Sequence, residues 1–222
     1  MAFNSKPKSF VTRQGRITTN QKKALTSFWN KYVISEFSEI QEFIQGNYSL
    51  LDIGFGAGET LVSIAQNKLD ISLLGAEVYQ SGIGTVLSKA DKFNLENIKI
   101  VNEDAEDLLQ NKIPDNSFDA IIMFYPDPWP KRRHHKRRFV SKEYLDLLIP
   151  LIKPGGEFHI ATDIGDYVRQ TLLMLRNYDN VLWKAESPEN WRVPWQNWVQ
   201  TRYERKAIAA GRRSYYLTFK KI

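Results

Sequence analysis

Short apolar runs alternate with amphipathic segments along most of the chain, and this alternation constrains the fold more than any other feature. Apolar runs that predict strands lie at 49–55, 71–78, 98–102, 118–124 and 157–161. Segments with helical spacing lie at 59–68, 84–93, 105–110, 141–152 and 166–176. Strands that are apolar on both sides are typical of a parallel sheet covered by helices on both faces. The pattern therefore predicts an α/β fold.

The two ends of the chain have less regular patterns. Residues 1–19 form a basic arm, and residues 20–45 carry an apolar stripe that predicts one helix. Near the other end, 181–185 and 214–220 predict two late strands with a helix at 195–210 between them, and their direction stays open. We predict a single domain over 1–222. Its arm and helix occupy 1–48, and a Rossmann-like core occupies 49–222.

Charge is segregated along the chain, whose formal net charge is +6 at pH 7. Residues 1–35 carry +7, residues 131–138 carry +6 and residues 201–222 carry +6, whereas residues 49–130 carry −8. Solvated surface charge can explain any one basic segment. Three separate basic segments, one of them unbroken, instead indicate a polyanionic partner such as a nucleic acid.

Composition excludes several classes of function. The 222 residues contain no cysteine, which removes disulfides, thiolate zinc sites and the cysteine nucleophile of pyrimidine C5 methylation. No apolar run is long enough to span a membrane, and residues 1–6 lack the apolar core of a signal peptide. We expect a cytoplasmic protein that has neither a membrane segment nor a metal ion.

A glycine-rich loop joins the first strand to the first helix. Gly54, Gly56 and Gly58 are spaced Gly-x-Gly-x-Gly, and Glu59 follows them. Dinucleotide-binding loops have the spacing Gly-x-Gly-x-x-Gly, which seats a pyrophosphate on the helix N-terminus. Here the third glycine comes one residue early, and Glu59 would repel that anion. The loop therefore disfavours a nicotinamide-dependent oxidoreductase and favours a nucleoside ligand without phosphates, with an ordinary tight turn as the alternative.

Carboxylates at the ends of neighbouring strands support the nucleoside interpretation. Glu77 ends the second strand, where a carboxylate can accept hydrogen bonds from both ribose hydroxyls. Asp104 follows the third strand and can reach an adenine amino group, and Asp52 can orient an amino-acid portion. S-adenosylmethionine has a ribose, an adenine, a cationic sulfonium and no phosphate. We therefore predict it as the cofactor.

Residues 118–138 combine a fixed carboxylate with a basic run. The fourth strand ends in Tyr-Pro-Asp-Pro-Trp-Pro, and its prolines restrict the backbone around Asp127. Six Lys/Arg and two His follow without a break at 131–138. Ligands of open α/β sheets bind beyond the carboxyl ends of the strands. The segment therefore indicates chemistry on a nucleic acid, and Trp129 either stacks on a base or caps the core.

Over nearly its whole length the chain resembles the bacterial tRNA (guanine-N7-)-methyltransferase family, a class I S-adenosylmethionine-dependent group. The resemblance is carried by the motifs at 13–16, 52–58, 75–78, 102–105, 126–131, 161–163 and 201–204. The glycine loop is common to many methyltransferases. The Pro-Asp-Pro-Trp segment with the late Thr-x-Tyr-Glu is close to family-specific. The resemblance implies a Rossmann-like class I fold with seven strands, mostly parallel, a late strand being antiparallel.

The resemblance implies methyl transfer from S-adenosylmethionine to N7 of a guanosine in the tRNA variable loop, with Asp127 as the catalytic residue. The implied cofactor-binding residues are Asp52, Gly54, Gly56, Gly58, Glu77, Asp104, Ala105 and Asp127. The implied tRNA-binding residues are Lys131, Arg133, His134, His135, Lys136, Arg137, Arg138, Asp163, Thr201, Arg202, Tyr203 and Glu204. No chemical role is expected for either histidine, and both monomers and homodimers fit the family.

Guanine N7 is a nucleophilic lone pair, so attack requires no base. The predicted contribution of the enzyme is alignment and electrostatics, with Asp127 stabilising the positive charge that develops on guanine. Asp127 or Asp163 can accept hydrogen bonds from guanine N1–H and the amino group. The alternatives are a non-enzymatic RNA-binding protein and another RNA methyltransferase, such as an adenine amino methylase.

Overall fold

The computed structural model describes Phe10 and residues 15–110 and 113–222. Most of the predicted basic arm lies outside these residues, as do Arg13 and Gln14 of the first family motif.

A seven-stranded sheet forms the centre of the fold, with the strand order β3-β2-β1-β4-β5-β7-β6. The strands are β1 (Tyr48–Ile53), β2 (Ile71–Ala76), β3 (Ile98–Val101), β4 (Phe118–Phe124), β5 (Ile152–Thr162), β6 (Val181–Trp183) and β7 (Tyr215–Lys221). Strands β1 to β5 pair in parallel, and β7 runs antiparallel to both β5 and β6. The prediction of a mostly parallel sheet with a late antiparallel strand is confirmed.

Helices cover both faces of the sheet. They are α1 (Thr19–Tyr32), α2 (Phe37–Ile44), α3 (Glu59–Asn67), α4 (Gln80–Lys92), α5 (Ala105–Gln110), α6 (Lys142–Leu151), α7 (Gly165–Leu175), α8 (Glu189–Arg192) and α9 (Arg202–Ala209). Helices α1, α3 and α4 share one apolar core with the sheet, and α2, α5, α6 and α7 share the other. Within the described part of the chain, no helix has the length and apolar character needed to cross a membrane.

Successive strand residues divide between the two cores because side chains alternate along a strand. Leu50 and Leu73 belong to the core under α3 and α4, whereas Leu51 and Leu74 belong to the other. All four are buried. Burial on both faces explains why these strands are continuous apolar runs in the sequence.

The single helix predicted over 20–45 is wrong, because the chain forms two helices there. Helix α1 ends at Tyr32, and Val33 makes a parallel bridge to Ile100 at the outer edge of β3. The backbone N–H of Ile34 donates to the Ile100 carbonyl at 2.8 Å. Because the helix breaks here, the chain can hydrogen-bond to backbone groups on the exposed edge of the sheet. Helical periodicity does not reveal this tertiary interaction.

The helix predicted over 195–210 is wrong in its first half. Helix α9 begins only at Arg202, and residues 193–201 are irregular. Trp195 stacks on Phe124 with ring centroids 5.4 Å apart, and Trp198 meets the same ring edge-on at 4.8 Å. The segment therefore follows its aromatic contacts with the end of β4 rather than a helical path.

Candidate active site

A pocket opens at the carboxyl ends of β1 to β4. It encloses about 780 Å³ of empty space, including space open to solvent. Six of the predicted cofactor-binding residues line it: Gly54, Gly56, Glu77, Asp104, Ala105 and Asp127. Four of the described lining residues are acidic, and none is lysine or arginine. The sheet thus brings separate sequence motifs into one acidic pocket of a size that suits a small molecule.

Glu77 holds the glycine loop in place. One carboxylate oxygen accepts the backbone N–H of Gly56 at 2.8 Å, and the other accepts those of Val78 and Tyr79 at 2.7 and 3.0 Å. Burial raises the pKa of Glu77, and these three donors partly offset that rise. A carboxylate has about four acceptor positions, so about one remains, whereas the sequence predicts that both ribose hydroxyls donate to Glu77.

Asp52 lies below the glycine loop and is only 3% exposed. It lines a smaller adjoining pocket with Glu59, Thr201 and Tyr203. Burial, and then the negative charge of Glu77, raise the pKa of Asp52 to about 8. A cationic ligand group beside it would therefore stabilise the ionised form.

The glycine loop is shaped by a close approach to α4 that the sequence analysis missed. Gly58 has a φ of 66°, and a Cβ there would lie 2.1 Å from Val86 Cγ2. A Cβ on Gly82 would lie 2.1 Å from the carbonyl oxygen of Gly56. Gly82 lies within α4 but before the helix predicted over 84–93, so it did not stand out as a glycine inside a helix.

The end of β3 is organised by Asn102 and Asp104. The Asn102 side chain donates to the Glu77 carbonyl at 2.9 Å and accepts from Gln80 at the same distance, which joins the ends of β2 and β3. Asp104 Oδ1 accepts the Glu106 backbone N–H at 3.2 Å at the start of α5. Asn102 thus has a positioning role that was not predicted.

Asp127 lies on a backbone segment held at both ends. Tyr125 and Trp129 have φ values of 53° and 41°, which large side chains rarely adopt. The Tyr125 N–H donates to the Ala161 carbonyl at 2.7 Å, and Arg138 Nε donates to the Pro128 carbonyl at 2.9 Å. Such conformations persist only where the surroundings fix them, so the contacts present Asp127 to the pocket in one orientation.

Arg138 is the one buried member of the basic run, and its predicted contact with tRNA stays a prediction that this burial does not favour. Its side chain is 1% exposed, whereas a phosphate contact requires an accessible guanidinium. Besides Pro128, it contacts the Gln170 amide oxygen and the Asp166 carboxylate, each at 2.8 Å. The burial could have been anticipated, because the run leads directly into the apolar residues Phe139 and Val140.

The remainder of the basic run forms a 3₁₀ helix, Arg132–Arg137. Lys131, Arg133 and Lys136 are exposed. The Arg137 guanidinium lies over the Trp129 ring, 3.7 Å from its centroid, so a cation covers one face of that ring. Partial burial, followed by the neighbouring cations, lowers the pKa of His134, which is therefore mainly neutral at pH 7. His135 Nε2 lies 3.6 Å from Asp166.

Two residues of the late motif at 201–204, Thr201 and Glu204, are buried. Thr201 caps α9 by accepting the Glu204 backbone N–H at 3.2 Å. The Glu204 carboxylate, in a side chain that is 4% exposed, accepts Trp198 Nε1–H at 2.6 Å and the Tyr216 hydroxyl. The predicted contact of Glu204 with tRNA stays a prediction that this burial does not favour. Both residues hold the aromatic segment in place.

The other predicted tRNA-binding residues of this region are Arg202, Tyr203 and Asp163. Tyr203 is 46% exposed and lines the main pocket beside Gly56. The Arg202 N–H donates to Glu59 at 3.3 Å, next to the glycine loop. Asp163 follows β5 and pairs with Arg212, whose Nε lies 2.6 Å from its carboxylate.

Comparison with known proteins assigns this site to a family. The model of a family described as "Putative methyltransferase" matches residues 47–217. A tRNA (guanine-N(7)-)-methyltransferase of Ruegeria sp. (strain TM1040) is 44% identical over 87% of this chain and 75% of its own. A protein of the same name from Nitrosococcus oceani is 37% identical over 99% of this chain and 93% of its own. The chain belongs to the tRNA (guanine-N(7)-)-methyltransferase family.

Solved structures support the fold of this tRNA (guanine-N(7)-)-methyltransferase family member. The 16S rRNA methyltransferase KamB matches 85% of this chain and 94% of its own with a TM-score of 0.59 and 14% identity. An antibiotic-related methyltransferase matches 85% of this chain and 96% of its own with a TM-score of 0.56 and 17% identity. The class I methyltransferase fold that the sequence predicted is thereby confirmed.

Proposed function

We propose that the chain transfers a methyl group from S-adenosylmethionine to N7 of a guanosine in the variable loop of tRNA. The observation that carries the proposal is the acidic pocket with Asp127 at its rim, beside the exposed cations of 131–136. The names of the relatives support the reaction class. We place the protein in the cytoplasm with its substrate, acting as a monomer or homodimer.

The pocket residues fit S-adenosylmethionine, which supplies an electrophilic methyl group when bound. The described lining residues include four carboxylates and no lysine or arginine, which suits a cation that has no phosphate. Glu77 would accept from a ribose hydroxyl, and Asp104 would accept from the adenine amino group. Gly54 leaves open space where a side chain would project, and Asp52 lies near enough to this loop to orient the amino-acid portion.

The proposed role of Asp127 is electrostatic. Guanine N7 attacks with its own lone pair, so the protein needs to remove no proton first. The guanine ring becomes cationic as the new bond forms, and a fixed carboxylate stabilises that charge without reorganising. The prolines and the two backbone anchors around Asp127 provide this fixed position. Holding the reactants aligned contributes further, by as much as about 7–11 kcal/mol in favourable cases.

The surface next to Asp127 is proposed to bind the tRNA backbone. Lys131, Arg133 and Lys136 are exposed on and beside the 3₁₀ helix. Arg137 extends the same surface from its position over Trp129. Phosphate contacts by these cations would position the variable loop. Asp127 or Asp163 would recognise the guanine by accepting hydrogen bonds from its edge.

A methylation assay with defined tRNA tests the proposed function. We expect radiolabelled S-adenosylmethionine and unmodified tRNA transcripts to yield label in 7-methylguanosine. Replacing the variable-loop guanosine should abolish the label, because only the N7 lone pair of that guanosine would be positioned in the site. Nuclease digestion and chromatography identify the nucleoside. Label in a different nucleoside would replace the proposed target, and binding without label would favour a non-enzymatic role.

S-adenosylmethionine affinity is expected to rise with pH between about 6 and 8. The buried Asp52 has a pKa of about 8 in the free protein, so it is mostly protonated at pH 6. A bound cation lowers that pKa, and binding therefore releases a proton. The effect is at most about tenfold in affinity per pH unit for one group. Calorimetry in two buffers of different ionisation enthalpy counts the protons.

The control for this pH dependence is Asp52→Asn. Burial also raises the pKa of Glu77, so the control must separate the two carboxylates. The asparagine variant should lose the proton that belongs to Asp52 and retain any part due to Glu77. Equal proton release in both proteins would show that Asp52 does not face the bound cation.

A further inference from the structure

A second cleft, lined by arginine, lies beside the candidate active site. It encloses about 1,030 Å³ of empty space, including space open to solvent. Its principal lining residues are Trp191, Arg192, Ile208, Arg212, Arg213 and Tyr215. None of them belongs to the cofactor pocket or to the basic run at 131–138. The cleft is therefore a separate positive surface, formed by α8, the end of α9 and the start of β7.

The charge of this cleft is not cancelled by the carboxylate in its wall. Arg192, Arg212 and Arg213 are all exposed. The carboxylate that lines the cleft belongs to Glu204, whose oxygens already accept from Trp198 and Tyr216. Glu189 lies on the same short helix as Arg192, and hydrogen bonds from Ser187 and from its own backbone, followed by the Arg192 charge, lower its pKa. Of the described residues, three arginines and one carboxylate line the cleft. Arg212 is paired with Asp163, so Arg192 and Arg213 are the cations that favour an anion here.

Aromatic packing gives Arg192 a defined position. The rings of Trp191 and Tyr215 stack with centroids 6.0 Å apart and planes 17° from parallel. The Arg192 guanidinium lies over the Trp191 ring, 4.5 Å from its centroid. A guanidinium that is stacked on an aromatic ring loses less side-chain entropy when it binds an anion, and its planar set of donors matches a phosphate.

Two hydrogen bonds connect the cleft to the catalytic end of the sheet. Arg212 Nε donates to Asp163, which follows β5, at 2.6 Å. The Ser214 hydroxyl lies 2.8 Å from that of Tyr125, two residues before Asp127. A phosphate in the cleft would therefore lie close to a nucleotide held at Asp127.

We propose that this cleft binds the phosphate backbone of tRNA next to the target guanosine, through Arg192 and Arg213. This inference rests on the proposed function and extends it, since the basic run at 131–138 binds a different part of the backbone. Arg212 links the new site to Asp163, because a phosphate in the cleft would compete with the Asp163 carboxylate for the Arg212 guanidinium. The RNA is then held by two separate basic surfaces that share no residue.

The test is the salt dependence of tRNA binding by the full chain carrying Arg192→Ala and Arg213→Ala. Affinity for an unmodified tRNA transcript is measured between about 50 and 200 mM salt. We expect the slope of log K against log salt to become shallower by about 1 to 2, as for the loss of one or two phosphate contacts. Affinity at the upper salt concentration should fall roughly tenfold or more.

Two further double variants serve as references. Arg133→Ala with Lys136→Ala should also flatten the slope, since it removes cations of the basic run. Lys68→Ala with Arg176→Ala also removes two positive charges. These exposed residues follow α3 and α7, at the end of the sheet away from the pocket and the cleft. This last pair should leave the slope unchanged. Affinity for S-adenosylmethionine and the melting temperature show that each variant is folded.

The outcomes separate the cleft from the proposed function. In one outcome, the wild type methylates tRNA while the Arg192/Arg213 variant shows the same salt slope as the Lys68/Arg176 variant. That result overturns the cleft proposal and leaves the proposed function standing. If the wild type gives no 7-methylguanosine, the proposed function fails, and the cleft is judged on the binding slopes alone. A flattened slope with unchanged cofactor affinity supports the cleft.

Discussion

Replacing Asp127 with alanine is expected to lower kcat for tRNA methylation by about 100- to 1,000-fold, the usual cost of removing one fixed electrostatic group. The expectation follows from its position, because Asp127 lines the pocket on a segment anchored at Ala161 and Arg138. Its charge would act mainly on the cation that develops on guanine, so affinity for tRNA should stay within a few-fold. Affinity for S-adenosylmethionine is measured separately, because Asp127 also lines the pocket proposed for that cation. Single-turnover methylation with saturating tRNA measures the chemical step directly.

Two variants separate the charge of Asp127 from its shape. Asp127→Asn keeps the hydrogen-bonding outline but removes the charge, so we expect it to lose most of the rate as well. Asp115→Ala removes an exposed carboxylate from the turn before β4, at the other end of the same strand, and should retain the wild-type rate. An asparagine variant with most of the wild-type kcat would assign Asp127 a positional role in place of the electrostatic one.

The core of the fold could be predicted because its determinants are local. β1, β2 and β4 are buried on both faces, and their sequences are therefore continuous apolar runs bounded by turn residues. Carboxylates that directly follow such strands must meet at one edge of a parallel sheet. For this reason Glu77, Asp104 and Asp127 could be placed in one site before their geometry was known.

The errors arose where tertiary contacts outweighed local pattern. Residues 195–201 have a helical pattern of apolar side chains, yet Trp195 and Trp198 pack on Phe124 and leave the helix to begin at Arg202. Arg138 reads as one more cation of a solvated run but is buried against Gln170. Neither partner adjoins the residue in sequence, so composition and spacing gave no indication of the contact.

Glu204 shows that a family motif can contain residues whose contacts lie inside the protein. The late Thr-x-Tyr-Glu identifies the family, but Thr201 caps α9 and Glu204 accepts from Trp198 and Tyr216. In this motif Tyr203 is the side chain that lines the cofactor pocket. Glu204 therefore acts on the site by holding the aromatic segment against Phe124, which itself lines the pocket.

Gly82→Ala is expected to weaken S-adenosylmethionine binding by about 10- to 150-fold. An added Cβ would lie 2.1 Å from the Gly56 carbonyl oxygen, so the glycine loop or α4 must move. That movement disrupts the 2.8 Å hydrogen bond from Gly56 to Glu77. A hydrogen bond to a charged group is worth about 1.5–3 kcal/mol, which corresponds to this loss of affinity. Titration calorimetry with S-adenosylmethionine provides the measurement.

Helix propensity predicts the opposite sign for this variant and therefore sharpens the test. Alanine is about 0.8–1 kcal/mol more favourable than glycine within a helix, so Gly82→Ala would be neutral or stabilising if α4 acted alone. Gly165→Ala is the matched control, because it also lies at the start of a helix and its Cβ would be 3.8 Å from the nearest atom, Tyr215 Oη. The control should bind S-adenosylmethionine like the wild type.

Wild-type affinity in Gly82→Ala would mean that the loop tolerates displacement and that contact with α4 does not set its shape. Weakened binding in the Gly82 variant alone would show that α4 and Glu77 together hold the loop in its binding conformation.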